Sequence, residues 1–197
     1  MANTYLSTNN ISLYTIPIAW ITCVGPHIHA INLYKDATGT SSKDSSTSTD
    51  SASEVREDSD YRFDKTNPRT LPSLIKANPH PALTPALKAR LLRLEAASWN
   101  GYENLGLFCS AVVAANLGLV AKLLMKPGIR GGGDDVRGYV WWMNVHSIGY
   151  VMSRIVFKLV YDRGVSGFAR GAWFYAGIAC CVSLVVRAGG LLRKIGL

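Results

Sequence analysis

Arg93, Asn100 and Glu103 sit in one uninterrupted stretch at spacings of seven and three residues. Helical geometry puts all three on one face, with Ala96 and Leu107 beside them. Ionisable groups on a helix of membrane-grade apolarity are costly, so this row must face protein or a wet cavity. Such a row serves contact with a ligand, or it forms a polar network that holds neighbouring helices together. Further on, Arg154, Phe157 and Tyr161 recur at 0, +3 and +7, with His146 and Tyr150 on the same face. Arg154 lies well inside an apolar run, where an unpaired guanidinium is expensive, and Glu103 is the expected partner for it. Arg170 and Arg187 flank the uncharged part of the last apolar run, positions from which each can snorkel to a polar boundary.

Four apolar runs position these residues. The first, Ile11 to Leu33, carries no Lys, Arg, Asp or Glu and is long enough to span a bilayer. Pro17 and Pro26 inside it are better tolerated in lipid than in water. It lacks the basic start and clean cleavage site of a signal peptide, so it reads as a retained transmembrane helix. His27 and His29 near its end are interfacial polar groups or ligands. The second run has no Pro from Ala86 to Met125 and predicts one helix of about 40 residues. Thr84 is its expected N-cap, with Pro85 at the first helical position. At 1.5 Å per residue such a helix outreaches the roughly 30 Å hydrocarbon core of a bilayer. The third, Tyr139 to Tyr161, opens on Tyr139, Trp141 and Trp142, an interfacial aromatic belt. The fourth runs from Phe168 to Leu192. The predicted fold class is therefore all-α, an integral membrane four-helix bundle with four transmembrane helices.

The connections differ in kind. From Thr38 to Ser53, 11 of 16 residues are Ser or Thr, and charged residues follow. Residues 35–66 are therefore expected to form a disordered loop, between an N-terminal region (1–34) with the first span and the rest of the bundle (67–197). Lys126 to Gly138 reads as a turn. Its adjacent glycines lack the Lys-Ser/Thr ending and the preceding strand of a phosphate loop. An even number of spans puts both termini on one side, and charge counting favours the cytosol for them.

Composition narrows the partners. The 197 residues suffice for one domain, 48% of them apolar. The net charge of +8 hides an acidic segment, since residues 35–65 hold 8 acids and 5 bases and the remainder carries +11. A basic, apolar chain suits an anionic small ligand or an anionic lipid surface. Nucleic acid fits poorly, because the bases form no solvated patch. The four cysteines lie in apolar runs without metal-ligand spacing and read as buried thiols; no metal site is expected.

The order of these features resembles a known family. An apolar helix ends near Pro26-His27, and Asn67-Pro68-Arg69 follows. Next come Arg93-x6-Asn100-x2-Glu103-x4-Phe108 and Arg154-x2-Phe157-x3-Tyr161. Arg170 then opens a run from Trp173 to Cys181. This resembles the MAPEG family, membrane-associated proteins in eicosanoid and glutathione metabolism, and its short microbial and fungal members most. The chain departs from the family's habit at Ala97, Trp99, Gly106, Phe157 and Gly171. The resemblance implies a homotrimer in an intracellular membrane such as the endoplasmic reticulum, with glutathione as co-substrate in clefts between subunits. It implies that Arg93, Asn100, Glu103, Arg154 and Tyr161 bind the tripeptide. It implies that Arg170 is catalytic and stabilises the thiolate, the reactive form of the thiol. The expected function is a membrane-bound glutathione transferase or peroxidase acting on hydrophobic electrophiles. Two alternatives stay open: a non-catalytic lipid-binding or scaffold protein of the same fold, and a small channel or transporter using Arg154 and Glu103 as an intramembrane relay.

Overall fold

The structure, a computed structural model, describes residues 2–39, 63, 66–124 and 132–195. They fold into helices α1 (Ala2–Thr8), α2 (Thr15–Thr38), α3 (Leu71–Ala77), α4 (Pro85–Leu124), α5 (Gly132–Asp162) and α6 (Gly167–Leu192), with short 3-10 turns between some of them and no strand among the described residues. The second run is one helix of 40 residues. It starts where Thr84 Oγ1 accepts the Leu87 backbone N–H at 3.3 Å. Helix α6 starts similarly, with Ser166 Oγ accepting from the Ala169 N–H.

The boundaries differ from the sequence reading in three places: the first run opens on a 3-10 turn at Ser12–Tyr14, so α2 starts only at Thr15, and two further ends shift. Helix α2 runs past Leu33 through Lys35, Asp36 and Ala37 to Thr38, and Gly39 ends it at φ 68. That left-handed conformation suits glycine, which has no Cβ to clash. Lys35 lies over the Phe63 ring at 5.3 Å, so packing extends the helix into a polar sequence. The rest of the Ser/Thr-rich segment lies outside the described residues. Of the turn expected over Lys126 to Gly138, residues 132–138 are helical, because α5 already begins at Gly132. Asp135, in its first turn, is favoured there by the helix dipole.

Helices α4 and α5 form the middle of the bundle, packed on each other and each on α2 and α6. Small residues let the axes approach. A Cβ on Gly118 would meet Ala188 Cα at 3.2 Å, and one on Gly101 would meet Cys23 Sγ at 2.9 Å. Close approach through Gly and Ala is how helices associate in lipid, where burial of apolar area supplies no drive. One core cluster joins Ala19, Phe108, Val112, Tyr139, Met143 and Leu184, and within it the Phe108 and Tyr150 rings stack at 3.9 Å. A second joins Tyr34, Leu71, Ile75, Leu91 and Leu94 beneath α3.

The N-terminal segment is pinned by amides. Buried Asn144 accepts the Ile11 N–H at 3.0 Å and donates to the carbonyls of Leu6 and Asn9. Asn10 donates to Asn116 at 2.7 Å. Both described ends of the chain thus lie with the last turns of α4 and the first turns of α5 at one end of the bundle, and α3 and the α5–α6 turn close the other.

Two helices, α4 and α6, are long and apolar enough to cross a membrane. Only 39% of the apolar window of α4 and 22% of that of α6 is buried inside the chain. Leu117, Val120, Leu124, Val182 and Val186 point outward, so these helices are not core helices wrapped by their own chain.

Candidate functional site

The α5–α6 turn gathers three of the predicted residues. Asp162 closes α5 and takes a two-pronged grip from Arg90, Nε to Oδ1 at 2.7 Å and Nη2 to Oδ2 at 2.9 Å. Arg93, one turn along α4, reaches the Asp162 carbonyl through Nη2 at 3.5 Å. Its guanidinium lies against Gly164, where a Cβ would stand 3.5 Å from Cζ and where φ is +67. Glycine therefore serves both the turn and the approach of Arg93. Across the turn, Arg170 sits 4.9 Å over the Tyr161 ring. Arg90 and Arg93 thus grip the Asp162 side of the turn while Arg170 stands across it on Tyr161, and the hydrogen bonds from Arg90 hold the Asp162 carboxyl below the usual carboxylate range. The locality is cationic after Asp162 is satisfied.

Asn100 and Glu103 continue from Arg93 along the outer side of α4. The helical rise puts them about 10 and 15 Å from it along the axis. Asn100 is half-buried and Glu103 exposed. The ion pair expected between Glu103 and Arg154 is not made. Arg154 is 1% exposed and turned toward α6, where Nη2 donates to the Phe174 carbonyl at 3.1 Å. Rings of Tyr150, Phe174 and Phe157 surround its guanidinium at 5.0, 5.0 and 5.8 Å. Gly177 leaves the space for it, since a Cβ there would stand 2.6 Å from Nη2. Aromatic faces and a carbonyl take the place of the carboxylate, leaving Nε and Nη1 without hydrogen-bond partners. Within one chain, then, Arg93, Tyr161 and Arg170 come together, Asn100 and Glu103 extend from them, and Arg154 is sealed inside.

Sequence reasoning missed two ionisable groups. Lys158, four residues after Arg154 and on its face, has a buried Nζ with no partner. Glu95, 4% exposed, meets His27 Nδ1 at 2.7 Å. Its position two residues from Arg93 rotates it about 200° around the helix, which was the available signal. That pair lies in a cleft of about 480 Å³ lined by His27, Pro68, Arg69, Glu95, Trp99 and Tyr102. Arg69 lies over Trp99 at 5.9 Å. Beneath it Ser98 Oγ donates to the Cys23 carbonyl at 2.7 Å, near Pro26. Pro68 and Arg69, quoted above only for their order, and His27, read as an interfacial group or a ligand, therefore meet α4 on the flank opposite Arg93. All four cysteines are free thiols, and no cluster of three metal-ligating side chains occurs among the described residues. The chain matches no protein-family model, no curated protein and no solved structure.

Proposed function

We propose that this protein is a four-span membrane protein that binds glutathione and activates its thiol for attack on hydrophobic electrophiles. The observation that carries the proposal is the cationic α5–α6 turn: Arg90 and Arg93 on its Asp162 side, and Arg170 held on Tyr161 across it. Glutathione brings two carboxylates, an ammonium and a thiol. A fully extended tripeptide reaches about 10 Å, the separation of Arg93 from Asn100 along the face. Arg93 then takes a carboxylate, Asn100 a peptide group, Glu103 the ammonium, and Tyr161 and Arg170 the thiol of the central cysteine. The Arg170 cation favours the thiolate electrostatically. The sulfur forms a bond to the electrophilic carbon, the leaving group departs with its electron pair, and the thiol proton passes to solvent.

Exposed Glu103 also argues for a second copy of the chain. A carboxylate on the outer face of a bilayer-grade helix is stable only against protein or water. A cyclic trimer presses two different patches of each subunit together. Helix α4 carries two such flanks, the Arg93–Asn100–Glu103 face and the Trp99–Tyr102 cleft. In the proposed trimer one flank faces the other across the boundary, so the glutathione site is completed by the neighbouring copy. Arg154 stays within its own subunit in this arrangement. The test is thermal melting of the detergent-purified protein with millimolar glutathione. Stabilisation lost in Glu103→Gln supports the reading. No shift on adding glutathione overturns it and favours a scaffold of the same fold.

A further inference from the structure

The opposite end of the bundle holds a second charged cavity that plays no part in thiol chemistry. It encloses about 500 Å³ where α4, α5 and α6 meet, and Lys122, Asp135, Tyr139, Arg187, Arg193 and Lys194 line it. Among the described residues four cations face one carboxylate. Lys122 is 7% exposed and spends its charge locally, with Nζ 2.7 Å from Asp135 Oδ1. The other three have no carboxylate partner among the described residues. Arg187 lies over Trp142 and Tyr139, its Cζ 4.6 and 5.5 Å from the ring centroids. This cation–π contact holds the side chain without consuming its hydrogen-bond donors. Indole and phenol rings next to arginine, at the ends of α4 and α6, are the side chains that occupy the headgroup layer of a bilayer. Lys122 lies two residues before the end of α4, and Arg193 and Lys194 immediately follow α6.

We infer that this cavity binds a phosphate group, and that the group is the headgroup phosphate of an anionic phospholipid whose chains lie along α4 and α6. Arg187 supplies the planar fork, and Arg193 and Lys194 supply charge from the rim. The inference rests on the membrane placement of α4 and α6 and is independent of glutathione. Its test uses the full chain in neutral detergent, doped with phosphatidylglycerol, phosphatidylcholine or inorganic phosphate. Phosphatidylglycerol is expected to raise the melting temperature and to survive as a retained adduct in native mass spectrometry, whereas phosphatidylcholine does neither. Arg193→Gln and Arg187→Gln are each expected to weaken the apparent affinity about fivefold, the effect of one basic residue at an anionic surface. Asp135→Asn removes the opposing carboxylate and is expected to strengthen it. Misfolding would weaken binding in every variant, so that opposite sign separates the site from a loss of structure. Equal retention of the two lipids overturns the inference, as does an Arg193→Gln, Arg187→Gln pair that binds like the parent. Inorganic phosphate as effective as the lipid overturns the lipid as the source. Loss of glutathione binding with this lipid preference intact would count against the proposed function alone.

Discussion

Replacing Arg170 by alanine tests the thiolate reading most directly. A cation about 4 Å from a sulfur anion is worth about 1 kcal/mol in water and about 4 kcal/mol at an effective dielectric of 20. Arg170 is half-buried, over the Tyr161 ring. An intermediate value of about 2–3 kcal/mol follows, or roughly 1.5–2 pKa units. A free thiol near pKa 8.5 would then titrate near 6.5–7 when bound. At pH 7 its thiolate fraction would fall from roughly half or three-quarters to about 3% on loss of the guanidinium. The expected result is a loss of about 15–25-fold in kcat/KM at pH 7 that shrinks below about twofold near pH 9.5. The assay is conjugation of a chloronitroaromatic with glutathione across that pH range, with Arg170→Lys as the charge-preserving control. A loss of equal size at every pH would refute the electrostatic argument, because it would leave the thiol pKa where it was. An unchanged rate would remove Arg170 from the site altogether.

Three further outcomes follow from the packing. Gly177→Ala should destabilise the protein by about 1–3 kcal/mol, read as a lower melting temperature, because its Cβ would stand 2.6 Å from Arg154 Nη2 and 2.7 Å from Ser153 Oγ. Arg154→Met should leave glutathione stabilisation intact, since Arg154 is sealed against α6; a folded variant that no longer binds would show that the side chain reaches the ligand. Asp162 has a folded pKa lowered by Arg90, so its contribution to stability is present above the unfolded value of about 3.9 and lost as pH falls through the folded one. Asp162→Asn should therefore flatten the stability profile below about pH 4, and an acid transition identical to the parent's would exclude this ion pair as its source.

The local signals in the chain were strong where breakers and periodicity decide the outcome. Absence of proline from Ala86 to Met125, with Thr84-Pro85 ahead of it, sufficed for a 40-residue helix, because capping and propensity act within a turn. The same rules misplaced two ends. Lys35 to Thr38 looked like loop, and Gly132 to Gly138 like turn, yet both are helical. Packing against Phe63 stabilises the first beyond what its composition suggests.

Sequence by itself marked residues that are costly to bury from their charge and apolar context, although it passed over Glu95 and Lys158. It therefore singled out Arg93, Glu103, Arg154 and Arg170 without any structure. Partners were another matter. One residue is about 100° of helix rotation, so a small uncertainty in how two helices face each other exchanges every neighbour. Only the tertiary structure decided that Arg154 rests among Tyr150, Phe157 and Phe174 instead of on Glu103. It likewise joined Glu95 to His27 and brought Arg93 to the turn that carries Tyr161 and Arg170. Those contacts join groups far apart along the chain, and the relative rotation of packed helices, which no local spacing encodes, selects them.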